Sequence, residues 1–336
     1  MRRFKNTAAA ILTGALVLSI TSCSINSDPS NTTNKIVNPS VSVGLSSEAK
    51  KPSDGLSKIA AVNYADHELS EADDLKTLEQ KIETKYGVDI VYGGDIRTEF
   101  GDESEQLVVE KYTDEANIKK ALASVDNILK IYPKTFFYQL RLSEDNPLKI
   151  YLTGHIKSLT YPDASINAFT SDTDSKGEFY LVIDIAGQSG IFNPPDVMHE
   201  IVHLTDFKLR SKGLMKSEDW AKLNPEDFAY RDKTNADAVM KYNFAQAEYC
   251  PRTDDSDISG VYFVCPYSQA NEFEDRATLL TNAMIHSIYK YEVEPGVYKC
   301  PHLQAKMEFW FSQVRKGFDT TYWENIPWED SYSKLK

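Results

Sequence analysis

Apolar residues recur at helical spacing in several parts of the chain and alternate in others. Leu69, Leu75, Leu78 and Ile82 predict a helix over 69–86, stopped by Gly87. The segment 88–92 alternates like a strand and runs into Gly93-Gly94. Ile118, Leu122, Val125 and Leu129 form the stripe of a helix over 114–132, with Asp114 as its N-cap and Pro133 as its stop. Strands are expected at 148–152 and, longer and richer in β-branched and aromatic residues, at 178–185. Pro194-Pro195-Asp196 opens another helix, with Asp196 placed to cap it. Two more helices are expected at 271–291 and 302–316, and a tail with Tyr322-Trp323 and Pro327-Trp328 is expected to pack on the core. This order predicts an α+β fold: a small mixed sheet in an α/β lobe over 58–190, then a mainly helical lobe over 191–336.

The first 57 residues follow neither period. Arg2, Arg3 and Lys5 precede an apolar stretch from Thr7 to Ile20, too short to span a membrane comfortably. The stretch ends Leu18-Ser19-Ile20-Thr21-Ser22-Cys23, which resembles a bacterial lipobox. That resemblance implies a signal peptide over 1–22, a lipid on Cys23, and a protein held at the outer side of a bacterial membrane. Residues 23–57, rich in Ser, Asn, Thr, Pro and Lys, read as a flexible tether.

Charge narrows the partners. The formal net charge is −13, and without Arg2, Arg3 and Lys5 the remainder is near −16. Phosphate contacts need clustered Lys and Arg, so a nucleic-acid partner is not expected. Besides Cys23 there are three cysteines, Cys250, Cys265 and Cys300. Export permits a disulfide, and a Cys250–Cys265 bridge would close the turn-rich loop between them. No CxxC pair exists, which argues against a structural cysteine–zinc site.

The chemistry concentrates in His199-Glu200-Ile201-Val202-His203. On a helix, positions i and i+4 share a face, so both imidazoles can point at one ion. Catalytic zinc takes three protein ligands and keeps a fourth position open. Glu200, beside that face, can serve as the general base for an attacking water. A chance HExxH is expected in roughly one chain in a hundred of this composition. The flanking Met198, Ile201, Val202 and Leu204 suit a buried helix rather than a solvated one.

The third ligand is less direct. The position six residues past His203 is Leu209, so the metzincin pattern is absent. Asp206 reads as an i,i+4 ion pair with Arg210. The segment Asn271-Glu272-Phe273-Glu274-Asp275-Arg276-Ala277 opens a helix with Phe273, Ala277, Leu280 and Met284 facing the core. Glu274 lies on the border of that stripe and is the favoured ligand, with Asp275 as the alternative.

HExxH followed by a helix reading Glu-Asp-x-Ala resembles the gluzincin zinc peptidases, nearest to bacterial exported zinc peptidases and the lethal-factor-like branch. The resemblance covers roughly 179–284. It implies a zincin-like fold with an edge strand beside the motif helix, zinc held by His199, His203 and Glu274, and Glu200 as base. It also implies that the 178–185 strand pairs with a peptide substrate and that Tyr267 stabilises the oxyanion; His286 is a weaker alternative for that role. Many gluzincins carry a carboxylate four residues after the ligand Glu; here that position is Thr278. The expected activity is zinc-dependent hydrolysis of extracytoplasmic peptides or proteins. The competing reading is a catalytically inactive zincin fold serving as a binding module.

Overall fold

A computed structural model describes residues 54–335 except 102–105, 142, 144, 161, 163–164, 172–177, 188–189, 231–248, 251–257, 290–298 and 325. The expected signal peptide, Cys23 and nearly all of the tether lie outside the described residues. A short helix, α1 (Asp54–Ala60), begins inside the expected tether.

Helix α2 (Leu75–Tyr86) starts later than its apolar spacing suggested, because the Asp74 carboxylate accepts from Thr77 N at 2.8 Å and caps it there. Gly87, at φ 70°, ends it in the left-handed conformation. Strand β1 (Asp89–Tyr92) follows, then a hairpin of β2 (Glu99–Gly101) and β3 (Gln106–Val109). Helix α3 (Glu115–Leu129) is capped by Asp114 as expected. After α4 (Phe136–Leu140) come β4 (Lys149–Thr153), β5 (Ile156–Ser158), β6 (Ala168–Ser171) and β7 (Tyr180–Asp184).

Two sheets result. One has the order β1-β4-β7-β6, with β1, β4 and β7 parallel and β6 antiparallel on the edge. The other is the antiparallel β2-β3-β5. Alternation along the central strands sends Ile150, Leu152, Leu181 and Ile183 to the helical core. Tyr151, Tyr180 and Val182 point the other way, onto Phe100, Leu107 and Ile156 of the small sheet. All five residues of β7 are buried, and its apolar run from Tyr180 to Ile183 is that of a strand covered on both faces.

The expected edge strand is therefore corrected. β7 is paired on both sides, to β4 and to β6, and its backbone has no free edge for a peptide. Among the described residues, the edge strand beside the motif helix is β6.

Helix α5 (Pro194–Ser211) carries the motif. Its N-cap is Asn193, with the prolines in the first turn. Asp196 is one turn further in and is not the cap. Its carboxylate instead accepts from Asn193 Nδ2 at 3.1 Å and from Asn167 Nδ2, just before β6, at 2.9 Å. The β7–α5 connection passes close to α3. A Cβ on Gly190, which has φ 85°, would stand 2.2 Å from Asn117 O.

Only helices follow among the described residues: α6 (Ser217–Ala221), α7 (Glu272–Tyr289), α8 (Pro301–Gly317) and α9 (Pro327–Leu335). Trp323 and Trp328 pack on Phe136, fulfilling the expectation for the tail. No disulfide joins Cys250, Cys265 or Cys300. No helix among the described residues is long and apolar enough to cross a membrane.

Candidate metal centre

The motif helix runs through the core. Met198, Ile201 and Leu204 are fully buried and fix the rotation of α5, which leaves His199 and His203 on one shared face. Their Nε2 atoms lie 3.0 Å apart. His203 and Glu200 are fully buried, and His199 is slightly exposed. Ligand atoms of His199, Glu200 and His203 fall within 4.8 Å of one another.

Helix α7 supplies the third donor. Asn271 Oδ1 accepts from the backbone N–H groups of Phe273 and Glu274, each at 2.9 Å, and starts the helix. Phe273, Ala277, Leu280 and Met284 are buried as the stripe required. Glu274, at its border, places Oε2 2.9 Å from His199 Nε2 and 3.7 Å from His203 Nε2. Donors about 2.0–2.1 Å from a tetrahedral ion stand about 3.3 Å apart. The three distances bracket that value, so one nitrogen–nitrogen–oxygen set fits a single ion. Such a donor set is compatible with a metal ion.

The electrostatics agree. Burial pushes the His203 imidazole below its ordinary value, against the pull of Glu274, which favours the neutral form a metal needs. Burial would raise the Glu274 carboxyl, but the two imidazoles outweigh it and hold it at about 2. Burial raises the Asp196 carboxyl above its ordinary value, against the lowering effect of Asn167, His199 and Asn193.

Tyr267 sits in a 3-10 turn, Pro266–Gln269, directly before α7. Its hydroxyl bonds Glu274, and its ring centroid is 6.2 Å from that of His199. Burial first, then the carboxylates of Glu274 and Glu200, push its phenol far above the ordinary value, so it stays protonated and able to donate. The structure thus brings together His199, Glu200, His203, Glu274 and Tyr267.

Two expectations change. Asp275, the alternative ligand, faces away from the histidines. Its Oδ2 accepts from Lys306 Nζ and Tyr230 OH at 2.7 Å each and from Trp220 Nε1 at 2.9 Å. One residue along a helix turns the side chain by about 100°, which separates it from Glu274. Asp206 pairs not with Arg210 but with Arg276 of α7, and accepts from Trp310 Nε1 of α8 at 3.0 Å. Arg210 lies over the Phe273 ring, 4.7 Å from its centroid. Thr278 is buried, but neither its hydroxyl nor His203 Nδ1 has a hydrogen-bond partner among the described residues. The side chain of His286 lies outside the described ones. The partners missed from sequence are Arg276, Lys306, Trp220 and Trp310. A visible signal was Lys306 and Trp310, four apart, inside an otherwise apolar helical stripe.

Fold and site together define a mixed α/β protein that presents a buried HExxH helix to a carboxylate from a second helix. No protein-family model matches the chain, and no curated protein matches it. Among solved structures, it is similar to a candidate zinc-binding metallo-peptidase from Bacteroides caccae. The identity is 12% and the TM-score 0.44, over 80% of this chain and 94% of that one. The functional reading rests on the residues above rather than on that likeness.

Proposed function

We propose that this protein is a zinc metallopeptidase that hydrolyses peptide bonds in proteins or peptides outside the cytoplasm, held at a bacterial membrane by a lipid on Cys23. The observation that supports it is the meeting of His199 Nε2, His203 Nε2 and Glu274 Oε2 within 2.9–3.7 Å in a buried setting. His199, His203 and Glu274 would hold the ion, which when bound would supply Lewis acidity toward the substrate carbonyl and lower the pKa of water. Glu200 takes the proton of the attacking water as its oxygen bonds the carbonyl carbon. It returns that proton to the amine as the C–N bond breaks. Tyr267, kept protonated, donates to the negative charge that develops on the carbonyl oxygen. The outer edge of β6, which no described strand pairs and which is tied to α5 through Asn167 and Asp196, is where an extended peptide would add.

A second reading, an inactive zincin fold used for binding, draws on Thr278. The usual orienting carboxylate is absent there, and His203 Nδ1 is unpartnered among the described residues. Metal content and turnover of the full-length protein separate the readings. About one zinc per chain is expected in the wild type and in Asp275→Ala, with loss in His199→Ala and Glu274→Ala. Glu200→Gln should keep zinc and lose peptide hydrolysis by about 10²–10⁴-fold. Zinc-loaded wild type without peptidase activity on a broad peptide library would favour the binding module. Wild type that takes up no zinc would end the peptidase reading and leave the binding module.

A further inference from the structure

The ligands sit on two helices that the chain does not join closely, and their register needs an external constraint. Three consecutive residues of α7 point in three directions. Glu274 reaches the histidines of α5, Asp275 reaches α6 and α8, and Arg276 reaches Asp206 of α5. Successive helical residues turn by about 100°, so Glu274 and Arg276 flank the apolar stripe of Phe273 and Ala277 on opposite sides. On α5, His199, His203 and Asp206 are spaced by four and three and share a face. Helix α7 therefore straddles that face, holding it at Glu274 on one side and at Arg276 on the other, one turn beyond His203.

The second hold is sealed. Asp206 is 0% exposed and Arg276 1%. Arg276 Nε donates to Asp206 Oδ2, and Trp310 Nε1 of α8 donates to Oδ1 at 3.0 Å. The guanidinium is also faced by the rings of Trp220 and Phe273, at 5.2 and 5.0 Å. A planar guanidinium boxed in this way resists both sliding and rotation of α7.

Building on the metal-centre reading above, we propose that Asp206 and Arg276 are positioning residues for the metal: their buried pair fixes α7 against α5 so that Glu274 meets both histidines. Neither touches the ion; both act through Glu274.

The test uses full-length protein, Zn²⁺ affinity by chelator competition, and the visible spectrum of the Co²⁺-substituted form, which reports ligand geometry. Removing one partner would strand a buried charge and threaten the fold. The main variant is therefore the apolar double replacement Asp206→Leu/Arg276→Met, compared with Asp126→Leu/Lys85→Met, a buried pair between α2 and α3. The expected result is a 10–100-fold loss of Zn²⁺ affinity and an altered Co²⁺ spectrum in the first variant, the range seen when residues supporting metal ligands are removed. The second should show neither change. If the first fails to fold, Arg276→Lys, which keeps the charge and loses the planar fork, carries the same expectation. Wild-type affinity and spectrum in the folded variant would overturn the proposal while leaving the metal site standing. Wild-type protein that binds neither ion would overturn the metal site itself.

Discussion

Charge is buried differently in the two halves of this core. In the sheet half, Lys85 bonds Asp126 at 3.1 Å and Glu68 at 3.0 Å, and Glu68 is 61% exposed. The Tyr64 and Tyr86 rings cover the ammonium at 5.5 and 5.4 Å, and Tyr86 OH donates to Asp126 at 2.7 Å. That pair has a wet end and a spare anion. In the helical half, Asp206 with Arg276 and Asp275 with Lys306 are sealed, each acid also accepting from a tryptophan N–H. Sealed pairs are poor sources of net stability, since an apolar replacement of both partners is often as good. Among the described residues, these sealed pairs occur around the helices that carry His199, His203 and Glu274, which points to register rather than stability as their use.

The sharpest way to break this comparison is to strand one charge in each half. Asp206→Leu leaves Arg276 without its hydrogen-bonded anion and should destabilise by about 3–5 kcal/mol, the cost of breaking a buried pair. Asp126→Leu leaves Lys85 its contact with Glu68 and should cost clearly less, although Tyr86 OH also loses its acceptor. Urea unfolding of the two variants measures the difference. Equal losses would mean that the wet end of the Lys85 site gives no relief.

How much of this was visible in the sequence follows the same division. The local features were legible. The Asp114 cap and the stripe from Ile118 to Leu129 are set by residues within one helix, and so is the pairing of His199 with His203. Glu274 was legible too, because its place on the border of a stripe is a property of α7 alone. What failed was tertiary. The strand at 178–185 looked like an edge, yet its unbroken apolar run, Tyr180 to Ile183, is the mark of a strand covered on both faces. The real edge, β6, has only four residues and no alternation long enough to stand out. Arg210, four residues on, looked like the partner of Asp206. The actual partner is 70 positions away, and no helical period reports that distance.

Acid should sharpen the contrast by acting on the helical half first. In the metal-free protein, the Glu274 carboxyl is held at about 2 against an ordinary 4.5. Its stabilising effect is complete above pH 4.5 and is lost as pH falls through that range toward 2. The full loss is about 3 kcal/mol. The His203 imidazole, pushed below 6.5 by burial, adds in the same direction. The unfolded chain takes up that proton first, so stability begins to fall below pH 6.5. Hydrogen exchange by mass spectrometry between pH 7 and 3.5 should show α5 and α7 losing protection before α2 and α3. Glu274→Gln should flatten the part below pH 4.5. Loss of protection in all four helices at one pH would contradict the division into halves.

The smallest expected effect tests whether distance alone could explain the comparison. Lys157 and Glu110 pair at 2.6 Å, shorter than Lys306 with Asp275 at 2.7 Å or Lys85 with Asp126 at 3.1 Å. Their side chains are 60% and 52% exposed. Water screens the attraction, and ordering two long side chains opposes it, so exposed pairs contribute about 0.2–1 kcal/mol. Lys157→Met should therefore move the urea midpoint by an amount near the error of the measurement, and less in high salt. It should leave metal affinity untouched, because β5 belongs to the small sheet and carries no residue of the candidate site. A loss comparable with that of Asp206→Leu would mean that contact geometry, rather than removal from water, sets what these pairs contribute. The assignment of the sealed pairs to helix register would then lose its physical ground.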